Sequence, residues 1–490
     1  MEGARLLGRK GKGLTIAALA FAVTCMYISL CPAFRTPGVA VAGVDQAEVR
    51  TITDQVERVR GLRASGEVQA RYMSRADLRS KILEDLEEEK PRQELKAAEE
   101  IMKMLGLIPQ DLDLGNLLVE LYTEQVGGFY DPGENVLYLV AEDKSLDVMD
   151  RLTLAHELVH FLQDSRFELD RPPFNDKKED VDDDRLFAAS CLVEGDAMLT
   201  SQFWARDYLS PAEIVQLGRL GQEVPTEVLD RAPKYVRESL LFPYQGGMEF
   251  VSRLYRKGGF AAVDRAFEDP PRSSEEVMHP EKYLEGERPM DVDLPSLGDA
   301  GWEKAYENVL GEFDVHQLLS LFIPEQEARR AAEGWGGNRY AYYRAPEGNR
   351  VLASVFAWDS PPDAEEFSRA FEKHLEGRFG EVGSRTSERG WELAEAGSYQ
   401  YAWKVSGRMV LLVQATSAVT LEVAREALER AGVVGEAGDG MEDGRITEES
   451  ADHRRLVVVI SLVSALFLLG LALSLFIFVS SRRRPPGADS

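Results

Sequence analysis

The pentapeptide His156-Glu157-Leu158-Val159-His160 constrains this chain more than any other feature, because it lies in a stretch built to pack inside a core. Leu152, Ala155, Val159 and Leu162 recur at helical spacing around it. That pattern predicts a buried helix over about 150–167, with Asp150 as its cap. Four residues along a helix advance about 6 Å and a little over one turn. Both imidazoles therefore leave one face and can meet one ion. Zinc accepts neutral histidine nitrogen and keeps a position open for water in catalytic sites. Glu157 stands beside the ligand face, where its carboxylate can take a proton from that water. The bland alternative is two surface histidines on a helix. The apolar neighbours argue against it, as does chance: with only six histidines in the chain, such a pentapeptide arises in roughly one chain in a hundred.

A metal held by two histidines needs a third ligand, and Glu194 is the first candidate. It sits in Leu186–Met198, a mostly apolar stretch of a second predicted helix over 182–208. A buried lone carboxylate is costly unless something pairs with it. A metal would supply the pairing; an ion pair with Arg151 or Arg206 is the structural alternative. Gly195 would let a neighbouring backbone come close. Asp196 is a rival ligand, but it points about 200° away around the same helix. Asp164, one turn past His160, is the candidate to orient a ligand imidazole from behind.

Thr153–His160 followed by Leu192-Val193-Glu194-Gly195-Asp196-Ala197 resembles the gluzincin class of metallopeptidases, in which a glutamate on a second helix completes a His-Glu-x-x-His site. The likeness is greatest to bacterial membrane-linked predicted metallopeptidases and is specific over roughly 127–208, looser to about 284. It implies one Zn2+ per chain, a peptide or protein substrate, and a sheet ahead of the active-site helix whose edge strand lines the cleft. Val136–Val140 is the candidate cleft strand. The resemblance also implies a Tyr or His that stabilises the developing oxyanion. On residue type and order along the chain, His279 comes first, then Tyr283 and Tyr244. His316 and His374 lie in charged or mixed helical patterns and read as surface residues.

Two apolar segments set the expected topology. Leu14–Phe34 follows a basic start and reads as a signal peptide or an anchor helix; Leu456–Val479 precedes Arg482-Arg483-Arg484 and reads as a membrane span. The expectation is a cell-membrane protein with its main body extracytoplasmic and both termini cytoplasmic, unless the first segment is cleaved. The net charge is −27; each end carries +4, so the middle carries about −35. Such a surface disfavours nucleic acid, whose phosphates attract Lys and Arg. Three cysteines give no disulfide framework.

Between these segments, helices are expected over 45–62 and 71–107, and strands over 126–130 and 136–140 flank a turn at 131–135. Gly334-Trp335-Gly336-Gly337 reads as a break. Beyond it come strands at 339–344, 351–358, 398–405 and 409–414 and helices at 363–378 and 421–431. The aromatic residues there are expected to pack a core. The expected fold is α+β: a zincin-like metallopeptidase domain, then a small α+β domain, flanked by transmembrane helices. In numbers, 1–35 is the basic start and first span, 36–115 a helical region, either integral or a removable pro-segment, 116–300 the catalytic domain and 301–330 a helical connector. The α+β domain follows at 331–432, an acidic flexible stalk at 433–455, the second span at 456–480 and a tail at 481–490. The functional expectation is a membrane-anchored zinc peptidase. The alternative, a catalytically inactive zincin-like binding or assembly protein at the cell surface, is disfavoured by an intact Glu157.

Overall fold

The computed structural model describes residues 43–436 and 459–462, apart from 88, 132–133, 142–145, 176–180, 298–300, 381 and 384–385. Asp45 caps α1 (Gln46–Arg60) by accepting from the Ala47 amide, and Val49, Ile52 and Val56 face inward, as their spacing requires. β1 (Gln69–Met73) follows, then α2 (Arg75–Glu87), α3 (Glu89–Leu105) and α4 (Leu114–Gln125). The expected helix over 71–107 thus gives its first residues to a strand, with Ala70 and Tyr72 buried on one face. The chain next forms β2 (Val126–Asp131) and β3 (Val136–Val140), the expected hairpin. β3 is paired on both sides, parallel to β1 and antiparallel to β2. Val136–Val140 is therefore an interior strand, and the expectation that it edges a cleft is corrected.

α5 (Val148–Phe167) starts at Asp147, not Asp150. Asp147 accepts from the amides of Met149 and Asp150, and Asp150 accepts from the Asp147 amide, a reciprocal capping box. α6 (Asp183–Tyr208) is capped by Asp182 and is buried along most of its length. α7 (Pro211–Glu223) and α8 (Glu227–Arg231) lead to α9 (Lys234–Gly258), which packs along α6. Three short helices, α10 (Phe260–Glu268), α11 (Ser274–Met278) and α12 (Pro280–Glu285), complete this part.

The rest is a sheet with a helix on each face. In order come β4 (Met290–Asp293), β5 (Glu303–Asn308), α13 (Glu312–Ser320), α14 (Glu325–Ala332), β6 (Trp335–Arg344), β7 (Arg350–Trp358), α15 (Pro361–Phe379), β8 (Thr386–Glu388), β9 (Trp391–Ala396), β10 (Tyr399–Ser406), β11 (Met409–Ala415), α16 (Ala418–Leu428) and β12 (Gly432–Glu436). Seven of these strands form an antiparallel sheet in the order β5-β6-β7-β11-β10-β9-β8. Alternation along β7 sorts its side chains. Phe356 and Trp358 meet Phe367 of α15, while Val351, Ala353 and Val355 join the cluster under α16. The other cluster runs without a break from α1 to β11, so one core joins the two halves. The aromatics Trp335, Tyr340, Tyr342, Tyr343, Trp358, Trp391, Tyr399, Tyr401 and Trp403 are all buried in these two cores.

Three boundaries differ from expectation. The presumed helical connector 301–330 contains β5, an edge of the large sheet. The glycines at 336–337 lie inside β6; a Cβ on Gly337 would stand 2.3 Å from the Met290 carbonyl oxygen, so β4 crosses where only glycine leaves room. The start of the presumed stalk is β12, paired with β4.

The flanking transmembrane helices are also corrected. Among the described residues no helix is long and apolar enough to cross a membrane. Within the expected second span, Val459–Leu462 forms a strand, β13, antiparallel to β2. Its backbone groups pair with a sheet edge rather than within a helix. The membrane as a partner, the membrane anchoring and the cell-membrane localisation with cytoplasmic termini fall with that finding. Leu14–Phe34 lies outside the described residues.

Where the two halves meet, Asp314 of α13 accepts from the Gly311 amide at 3.0 Å and from the Tyr235 hydroxyl of α9 at 2.7 Å. Burial pushes its carboxyl up to about 6. A raised carboxyl favours the protonated form in the fold, so its contribution is present below about pH 4 and lost as pH rises through about 6. Urea unfolding of Asp314→Asn should show the variant gaining about 1–3 kcal/mol on the wild type between about pH 4 and pH 7. A difference that does not change with pH would contradict this assignment.

Candidate metal centre

α5 brings His156, Glu157 and His160 to its contact with α6, and α6 brings Glu194. Nε2 of His156 stands 3.2 Å from Nε2 of His160, and Oε2 of Glu194 lies 3.3 Å from the first and 3.5 Å from the second. All three residues are buried, and their donor atoms are close enough together to hold one metal ion. Glu194 pairs with neither Arg151, which binds Glu213, nor Arg206, which binds Asp207.

Two glycines set the depth of Glu194. A Cβ on Gly195 would stand 2.2 Å from the Gly247 carbonyl oxygen, and one on Gly247 would stand 2.2 Å from the Cys191 carbonyl oxygen. α6 and α9 therefore touch backbone to backbone beside Glu194, as the reading of Gly195 anticipated. A third glycine serves the other side. At Gly128 of β2 a Cβ would meet Thr153 at 2.8 Å and lie 3.5 Å from the Glu157 Cγ. β2 is thereby seated directly on the α5 face that carries Glu157, which is itself fully buried.

Electrostatics follow from that burial. Desolvation opposes charge on all three residues. For Glu194 the fields and hydrogen bonds of the two histidines overcome it and hold the carboxyl at about 2. For His160 the Glu194 carboxylate overcomes it and lifts the imidazole to about 9. For His156 desolvation wins, and the imidazole is held below its ordinary range. Oε1 of Glu194 is buried with no hydrogen-bond partner. A cation bound to the Glu194 carboxylate would compensate a buried group that the described residues leave half unsatisfied. By contrast, the acidic group Glu275, Glu287 and Asp359 already has its cation: Lys282 Nζ lies 2.7 Å from each.

Gln163, not Asp164, contacts His160 from behind. Its Oε1 lies 2.9 Å from His160 Nδ1, and its Nε2 donates to the Val193 carbonyl at 3.0 Å and to Asp196 Oδ2 at 2.9 Å. Asp164 accepts from the Leu169 amide at 3.2 Å and lies 3.5 Å from the Tyr130 hydroxyl. Asp196 faces away from the cluster, as its helical position required, and pairs with Arg60 at 2.7 Å.

The three oxyanion candidates separate. His279 pairs through Nε2 with Glu312 at 2.9 Å, and the Tyr283 hydroxyl donates to the Asp269 carbonyl at 2.9 Å. The Tyr244 ring, on α9, lies 6.4 Å from the His156 ring. His316 and His374 are buried, not on the surface; burial drives His374 down to about 3, so it is neutral.

Residues 301–425 match a family described as a domain of unknown function (DUF8575). The match covers the large sheet from β5 into α16 and does not reach α5 or α6. No curated protein and no solved structure matches the chain.

The glycine contact makes a direct prediction. Gly247→Ala should lower stability by about 1–3 kcal/mol through overpacking and reduce bound metal per chain. Thermal unfolding together with metal analysis checks both; wild-type metal content in a destabilised variant would mean that the crossing does not set the position of Glu194.

Proposed function

We infer that the protein is a zinc-dependent hydrolase of peptide bonds, with His156, His160 and Glu194 as zinc ligands and Glu157 as general base. The observation that carries this reading is the spacing of the donors. Bonds of roughly 2.0–2.1 Å in a tetrahedron put ligand atoms roughly 3.3 Å apart, and the three separations here are 3.2, 3.3 and 3.5 Å. Two imidazoles and one carboxylate also leave one position open, as catalytic sites do.

A zinc held by His156, His160 and Glu194 would supply a Lewis acid and make water there more acidic. Glu157 neighbours His156 in sequence, and its carboxylate would take a proton from the attacking water. The same carboxylate would then deliver that proton to the nitrogen of the leaving amine. Gln163 keeps a proton on His160 Nδ1 by accepting from it, so that Nε2 is directed at the metal. Tyr244 is the donor we assign to the developing oxyanion, because its ring lies 6.4 Å from the His156 ring. In this reading residues 116–300 carry the chemistry, and the substrate is a peptide or protein.

A library of unstructured peptides incubated with the purified protein tests the reading. Glu157→Gln should retain its metal and lose about 10²–10⁴-fold in turnover. Tyr244→Phe should lose about 10²-fold with metal content unchanged. Turnover that survives intact in Glu157→Gln would overturn the mechanism.

A further inference from the structure

Arg60 is the last residue of α1, nearly a hundred positions before His156, and it is fully buried. Its Nε donates to both oxygens of Asp196, at 2.7 and 2.9 Å, and its Nη2 lies 2.7 Å from Asp264. A guanidinium in the interior is costly unless it is paired. Both oxygens of Asp196 accept from that Nε, so Asp196 presents Oδ2 as an acceptor to its next neighbour.

That property passes along a chain of hydrogen bonds. The Gln163 amide faces Asp196 Oδ2 and the Val193 carbonyl, both acceptors, so its NH2 must point to them. Its oxygen must then point to His160 Nδ1 at 2.9 Å. Nδ1 must therefore carry a proton, and Nε2 is the nitrogen directed at the other two ligands. We propose that Arg60 is a positioning residue for the metal centre: through Asp196 and Gln163 it fixes which nitrogen of His160 faces the metal. The N-terminal helix is then a permanent part of the site and not a detachable pro-segment. The consequence for metal affinity rests on the zinc reading above; the hydrogen-bond relay does not.

Two measurements on the full chain separate these claims. In metal-free protein labelled with [15N]histidine, the relay gives a slowly exchanging Nδ1–H signal for His160. Asp196→Asn, which is isosteric and can turn the Gln163 amide around, should abolish that protection. In a chelator competition, Asp196→Asn and Arg60→Met should bind zinc about 10–100-fold more weakly than wild type. Arg60→Lys should recover part of the loss, and cobalt loaded into Arg60→Met should show an altered visible spectrum. A protected Nδ1–H in the wild type, lost in Asp196→Asn, supports the relay even if no zinc binds, in which case only the hydrolase reading fails. Unchanged Nδ1–H protection and unchanged zinc affinity in Asp196→Asn would overturn the relay, whatever the wild type hydrolyses.

Discussion

The carboxylate of Glu194 is buried where two apolar helices meet, and most of the architecture around it is needed to keep it there. Among the described residues its partners are the Nε2 atoms of two histidines on α5, and one of its oxygens has no hydrogen bond there. Burying such a group costs several kcal/mol unless charge answers it. The helix crossing at Gly195 and Gly247 sets its depth, the seat of β2 at Gly128 covers the neighbouring Glu157, and the buried Arg60–Asp196 pair braces α6 on its far side. Packing alone would have favoured an apolar residue at position 194. The retention of two imidazoles and two carboxylates in one small interior volume is what points to chemistry.

The clustering of His156, His160 and Glu194 was legible in the sequence because each part rests on local geometry. The four-residue spacing of His156 and His160 is a property of any helix, and Glu194 announced itself as a single carboxylate in an apolar run. Gly195 was read correctly for the same reason. The groups behind the ligands were not legible. Gln163 and Asp164 are adjacent polar residues, and only the rotation of α5 against α6 decides which one meets His160. Arg60 lies in another helix altogether, and nothing in its neighbourhood signals a buried ion pair. The oxyanion candidates were ranked by residue type and order along the chain, which carry no information about distance; hence His279 and Tyr283 were placed ahead of Tyr244, whose ring is the one beside His156.

The fold shows the same division. Helix periodicity located α1, α5, α6 and α15, and the hairpin of β2 and β3 followed from its turn. Short strands were missed where periodicity has too few residues to speak: β1 and β5 have five and six residues. Glycines at 336–337 were read as punctuation, whereas they permit a strand crossing. A long apolar run was read as a membrane helix, yet four of its residues pair with β2. Continuous hydrophobicity alone does not separate a buried strand from a helix. The two histidines judged to be on the surface were misplaced because a mixed helical pattern leaves the buried face undefined.

The central claim is that the crossing of α5 and α6 exists to hold a metal. Metal analysis of the purified protein under zinc-replete conditions, beside a His160→Ala copy, tests it most directly. The account predicts about one tightly held zinc per wild-type chain and none in the variant. No metal in either protein, or the same amount in both, would contradict it.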